Sequence, residues 1–130
     1  MFDADGISRW AFDSPVAQID DVYAISLEPD GTVWAYYYSA FGIVRIRDRE
    51  ITHWEYGDGG GCALAVGPQG VTLLAKGEAR SLELHGTRAY EAARVSVVAS
   101  SGQALDAPAI GVGPQLWFLR DRQIWRSDVD

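Results

Sequence analysis

Tyr23-Ala24-Ile25-Ser26-Leu27-Glu28-Pro29-Asp30-Gly31 is written again as Cys62-Ala63-Leu64-Ala65-Val66-Gly67-Pro68-Gln69-Gly70 and a third time as Pro108-Ala109-Ile110-Gly111-Val112-Gly113-Pro114-Gln115. In each copy large and small residues alternate: Ile25 and Leu27 against Ala24 and Ser26, Leu64 and Val66 against Ala63 and Ala65, Ile110 and Val112 against Ala109 and Gly111. A period of two is the strand period, and a strand crowded between sheets needs small side chains on the face where its neighbour's large ones enter. The Pro-Asp-Gly and Pro-Gln-Gly that follow are turn chemistry, with proline fixing φ and glycine accepting positive φ. Each copy is therefore an inner strand that folds straight back into a second one.

Working outward, second strands fall at residues 32–38, 71–76 and 116–120, and third strands at 43–47, 80–84 and 123–127. Fourth strands fall at 51–56 and roughly 93–100. In the third copy the turn is two residues shorter, an even change that keeps every side chain on its face. Residues 88–95 carry enough helical propensity for one turn, but no helix is expected. The prolines recur 39 and 46 residues apart, at Pro29, Pro68 and Pro114, which is the spacing of propeller blades. The expected fold is all-β: one domain over residues 1–130, made of three four-stranded blades at about 22–56, 62–100 and 108–127.

The two ends complement one another. Ile7-Ser8-Arg9-Trp10-Ala11-Phe12 matches Ile51-Thr52-His53-Trp54-Glu55-Tyr56 position by position, while the C-terminal Gln123-Ile124-Trp125-Arg126-Ser127-Asp128 reads like a third strand with no successor. Residues 7–12 are accordingly expected to supply the fourth strand of the last blade. The five tryptophans, at 10, 34, 54, 117 and 125, are expected to be largely buried.

Composition narrows the function. A formal net charge of −7 argues against tracking nucleic-acid phosphates, which needs clustered Lys and Arg. The single cysteine, Cys62, cannot form an intrachain disulfide, lacks neighbours at metal spacing, and is expected to be a small buried strand residue. With no secretory leader pattern and no bilayer-length apolar run, a soluble cytoplasmic protein is expected, with neither nucleic acid nor membrane as partner.

The run Glu28-Pro29-Asp30-Gly31-Thr32-Val33-Trp34-Ala35, then Gly42-Ile43-Val44-Arg45-Ile46, then Ile51-Thr52-His53-Trp54, resembles the blade repeat of streptogramin lyase-like (virginiamycin B lyase-like) and NHL-like β-propellers. The resemblance implies a six- or seven-bladed ring. Three blades cannot close one, since propellers take about 4–8, so a half-propeller completed to six blades by a homodimer, with the N-terminal strand exchanged, is expected. A fragment, or one part of a split ring that needs a different chain, is the alternative. The lyase's histidine, glutamate and magnesium constellation does not map, because His53 falls on an outer strand and His85 at a peripheral hairpin. No cofactor or metal is expected.

Ligands of such propellers bind where the loops between blades and the loops joining second to third strands meet. Here that mouth collects Asp20, Asp21, Tyr23, Tyr38 and Phe41. Paired carboxylates beside aromatic walls suit a cation or polyhydroxylated small molecule, or an acid and base if burial separates their pKa values. Equally, Asp20 and Asp21 can cap a turn, with the tyrosines as sheet filler. Asp58 with Gly59-Gly60-Gly61 reads as a flexible linker, and Arg45 and Arg47 as a solvated face or partners of Glu55. A binding or assembly module is the reading, with a small-molecule lyase or hydrolase as the alternative.

Overall fold

The computed structural model describes residues 4–5 and 19–129. Among the described residues eleven strands build three antiparallel sheets of four, four and three strands, and the sheets do not close. The first holds β1 (Val22–Leu27), β2 (Val33–Tyr37), β3 (Ile43–Arg47) and β4 (Glu50–Trp54). The second holds β5 (Gly61–Gly67), β6 (Gly70–Ala75), β7 (Glu78–His85) and β8 (Arg88–Ser96). The third holds β9 (Ala109–Val112), β10 (Gln115–Arg120) and β11 (Gln123–Asp128). Every sheet is a meander in sequence order. The expected strand at 7–12 and Trp10 lie outside the described residues.

The repeated turns behave as their composition dictates. Asp30 Oδ1 accepts from the Thr32 amide at 2.9 Å, and Gly31 takes φ 88°, a left-handed value that a β-carbon disfavours. The inner strands β1, β5 and β9 lie beside one another, with β5 against both others. Ala24, Ser26, Trp34, Tyr36 and Ile43 present one face of the first sheet. The cluster that Ala24, Trp34, Tyr36 and Ile43 build with Leu64, Val66, Val71, Leu73 and Leu82 of the second sheet is the largest core among the described residues. Here the small face of one inner strand meets the large face of the next, as the alternation predicts.

The same step is not repeated between the second and third sheets. Ala63, Ala65 and Leu74 pack against Leu116 and Phe118, which share a face with Ala109 and Gly111. Small face meets small face, and the backbones approach so closely that a β-carbon on Gly111 would overlap the Leu64 carbonyl. The second sheet is covered on both sides. The third turns Ile110, Val112, Leu119 and Ile124 outward, Ile124 being 72% exposed.

Other departures from expectation have local causes. The fourth strand of the second sheet, expected at about 93–100, is β8 at 88–96, because pairing with β7 starts at the hairpin, from His85 opposite Arg88. The Glu55 amide also donates to the Thr87 carbonyl, and the Ala89 amide to that of Glu55, stitching β8 to the end of β4. Among the described residues the one helical element is a 3₁₀ turn, Ser39–Phe41. Trp34 and Trp54 are buried as expected, whereas Trp117 and Trp125 are only half-buried. Among the described residues no helix is long and apolar enough to cross a membrane.

Candidate functional site

At the start of β1 the structure gathers aromatic rings from three directions. Tyr23 lies 6.0 Å from Tyr36 and 6.4 Å from Tyr38, and Phe41 lies 5.7 Å from Tyr38 and 6.5 Å from Tyr36, between ring centroids. The four rings form a closed circuit. Tyr36 is fully buried, while Tyr23 and Tyr38 are 47% and 53% exposed. A bulge between Val22 and Ala24 turns Tyr23 toward this cluster. The 3₁₀ turn carries Phe41 across from the end of β2.

The two aspartates beside the rings take different tasks. Asp20 accepts from the Ser39 amide at 2.8 Å and from the Ser39 hydroxyl at 2.7 Å. The Ser39 hydroxyl, followed by its amide, holds the Asp20 carboxyl below the usual carboxylate range. Asp20 thus fastens the 3₁₀ turn that positions Phe41. Asp21 receives the Tyr38 amide on its backbone carbonyl at 3.0 Å, which leaves its carboxylate, in an exposed residue, available.

The triple glycine is packed rather than loose. Gly61 lies against Tyr36 and Leu73, where a β-carbon would come within 2.6 Å and 2.8 Å of their side chains, and Gly59 lies against Phe41. The Tyr36 hydroxyl donates to the Asp58 carbonyl at 2.8 Å. Burial raises the Tyr36 phenol, so it stays a donor at neutral pH.

Beside the mouth, β1, β5 and β9 enclose a cleft of about 430 Å³ lined by Tyr23, Ile25, Cys62, Ala63 and Ile110 among others. Cys62 occupies a second bulge, between Gly61 and Ala63, at the position equivalent to Tyr23. It is an exposed residue and not the buried one expected, because the bulge turns it out of the sheet. Desolvation in the cleft nonetheless pushes its thiol above the ordinary value, which disfavours the nucleophilic thiolate. Among the described residues no three His, Cys, Asp or Glu side chains gather to hold a metal ion.

Residues 2–126, nearly the whole chain, match the YxzG family. The chain belongs to that family. No curated protein and no solved structure matches it.

Sequence reasoning missed the most buried charge among the described residues of this YxzG-family chain. Arg80 of β7 is 5% exposed and donates through Nη1 to Asp58 Oδ2 at 3.0 Å, with the Gly59 carbonyl at 3.4 Å. Its Nε has no hydrogen-bond partner. Around it, Arg94 binds Glu91 at 2.7 Å and 2.9 Å and Glu78 at 3.2 Å, while the Tyr56 hydroxyl donates to Glu91 at 2.9 Å. This network ties the linker at Asp58 to the second sheet. The signal in the sequence was weak: Arg80 faces Leu73 across the ladder, so it stands at a core position.

Proposed function

We propose that this chain is a self-associating binding module, in which two copies complete a six-bladed, propeller-like ring of the kind its repeats resemble. One observation carries the reading. The third sheet turns Ile110, Val112, Leu119 and Ile124 outward to solvent, and β1 of the first sheet exposes Ile25 and Leu27 beside a part of the same face, Ala35, Tyr37 and Val44, that is buried. A hollow of about 390 Å³ floored by Trp117, Phe118 and Leu119 opens on that third face.

Contiguous exposed aliphatic surface is costly in water and marks an interaction site. Setting the third sheet of one copy on the first sheet of the other, twice about a twofold axis, covers both faces with a closed and finite assembly. Among the described residues β11 pairs only with β10. Residues 7–12 are proposed as the fourth strand beside it. Ligand in this reading sits at the mouth formed by Asp20, Asp21, Tyr23, Tyr38 and Phe41, where exposed tyrosine faces suit a cationic or polyhydroxylated small molecule.

The experiment is the mass in solution. Sedimentation should give twice 14.2 kDa for the parent, and Ile124→Asp, a change at an exposed position, should give a folded monomer. A parent that stays monomeric at the highest concentration that remains clear excludes the ring.

A further inference from the structure

At the opposite end of β1 from the aromatic mouth, the turn joining β1 to β2 faces the turn joining β5 to β6 across a cleft of about 360 Å³. Trp34, Arg45, Arg47, Glu28 and Gln69 are among its lining residues. The wall is built with care. Trp34 and Trp54 stack with centroids 5.9 Å apart and planes 15° apart, and the Arg45 guanidinium lies 5.7 Å and 5.6 Å from the two rings. The Trp34 indole N–H donates to Glu28 at 2.8 Å, which fixes the ring and occupies that carboxylate.

Arg45 lacks the ion pair that most other described arginines form. Arg80, Arg94, Arg120 and Arg126 all have carboxylates within ion-pair distance, and Arg47 has Asp30 at 3.8 Å. Among the described arginines that are not openly exposed, Arg45 alone has none. Of the two readings from the sequence, a solvated face or pairing with Glu55, the pairing is not formed. Its hydrogen bond is to the Thr52 hydroxyl, at 3.4 Å. A guanidinium carries five N–H donors in a rigid fork, and two aromatic rings hold this one in a fixed place while leaving most donors unused. Such a fork is complementary to a planar or tetrahedral oxyanion, which it binds in bidentate fashion.

We propose that this cleft is a binding site for a small oxyanion-bearing molecule, with Arg45 taking the oxyanion, Arg47 adding charge at the rim and Trp34 walling its body. Arg47 is shared with Asp30 and Glu28 with the Trp34 indole, so Arg45 is the lining charge without an opposite partner, and the cleft has the size of a small-molecule site. The site is separate from the aromatic mouth and independent of ring closure.

The test is a titration of the ¹⁵N-labelled protein with sodium benzoate and, separately, sodium phosphate, each against sodium chloride at matched ionic strength. The Trp34 indole N–H and Arg45 Nε–H signals report on the cleft. Saturable shifts with an oxyanion and none with chloride are expected. Saturation by benzoate alone assigns a carboxylate ligand, and by phosphate alone a phosphate. Arg45→Gln should weaken binding at least about tenfold, the scale of a lost charge-assisted pair, and Arg47→Gln, at an exposed position, should weaken it by less. Shifts no different from chloride, or unaltered affinity in a folded Arg45→Gln, overturn the proposal. Should Arg45→Gln not fold, the parent's titration and Arg47→Gln decide.

Discussion

Replacing Gly111 by alanine tests the packing of the third sheet directly. A β-carbon at that position overlaps the Leu64 carbonyl and lies 3.2 Å from the Ala65 amide nitrogen. Both obstacles are backbone, so no rotamer change relieves them. Either β9 slides away from β5, or the third sheet lifts. Overpacking a tight contact costs about 1–3 kcal/mol when neighbours can yield, and strand backbone yields least. Lifting the sheet instead exposes Leu116 and Phe118, each about 1.5–3 kcal/mol of burial. A loss of about 3 kcal/mol is therefore expected, which for a domain of this size lowers the melting temperature by roughly 10–15 °C. Thermal melts followed by circular dichroism, with urea unfolding as the second measure, read this out. An alanine variant that melts within a degree or two of the parent would show that β9 does not lie against β5, and the small-face-to-small-face packing would be wrong.

Trp34→Ala removes a buried ring stacked on Trp54 and should cost roughly 3–5 kcal/mol in urea unfolding; a loss below about 1 kcal/mol contradicts its burial. Acid should act through Glu91, whose carboxyl is lowered from an ordinary value of 4.5 to about 2, chiefly by Arg94 and further by the Tyr56 hydroxyl. A folded pKa below the unfolded one contributes stability that is full above about 4.5 and is lost as pH falls toward 2. The melting temperature of the parent should therefore drop more steeply across that window than that of Arg94→Met, and parallel curves for the two proteins would refute the coupling.

How much was legible in the sequence depended on how local the cause was. The hairpins at Pro29-Asp30-Gly31, Pro68-Gln69-Gly70 and Gly113-Pro114 were readable because turn residues dictate their own geometry, and the alternation in the inner strands gave the faces. What alternation could not give was which face met which. Gly111 looks like any small residue of the repeat, yet its missing side chain is what lets β9 reach the β5 backbone. The fourth strand of the second sheet was placed too late, at about 93–100, since the residues that open it at 88–92 carry a helical propensity of a few tenths of a kcal/mol per residue and no strand alternation. At the mouth, the sequence listed Asp20, Asp21, Tyr23, Tyr38 and Phe41 but not their division of labour, because Ser39 is what separates the two carboxylates. Tyr36 was not among those five residues, although its ring closes the circuit. Arg80 was hidden by its charge, since nothing local marks an arginine as buried.

The meander order of all three sheets has a consequence for biosynthesis. Each sheet is assembled from neighbouring segments joined by short connections, so its ladders close small loops and gain little from waiting for distant chain. The first sheet can thus be complete while the third is still being translated. What it lacks at that stage is its covering layer, since Leu64, Leu73 and Leu82 have yet to arrive. The vulnerable moment in synthesis is then the interval between completion of β4 and pairing of β6 with β7, when the stacked Trp34 and Trp54 stand uncovered and offer chaperones or sister chains an apolar surface. Slowing translation within the first strands of the second sheet should prolong that exposure, whereas slowing it after β8 should not.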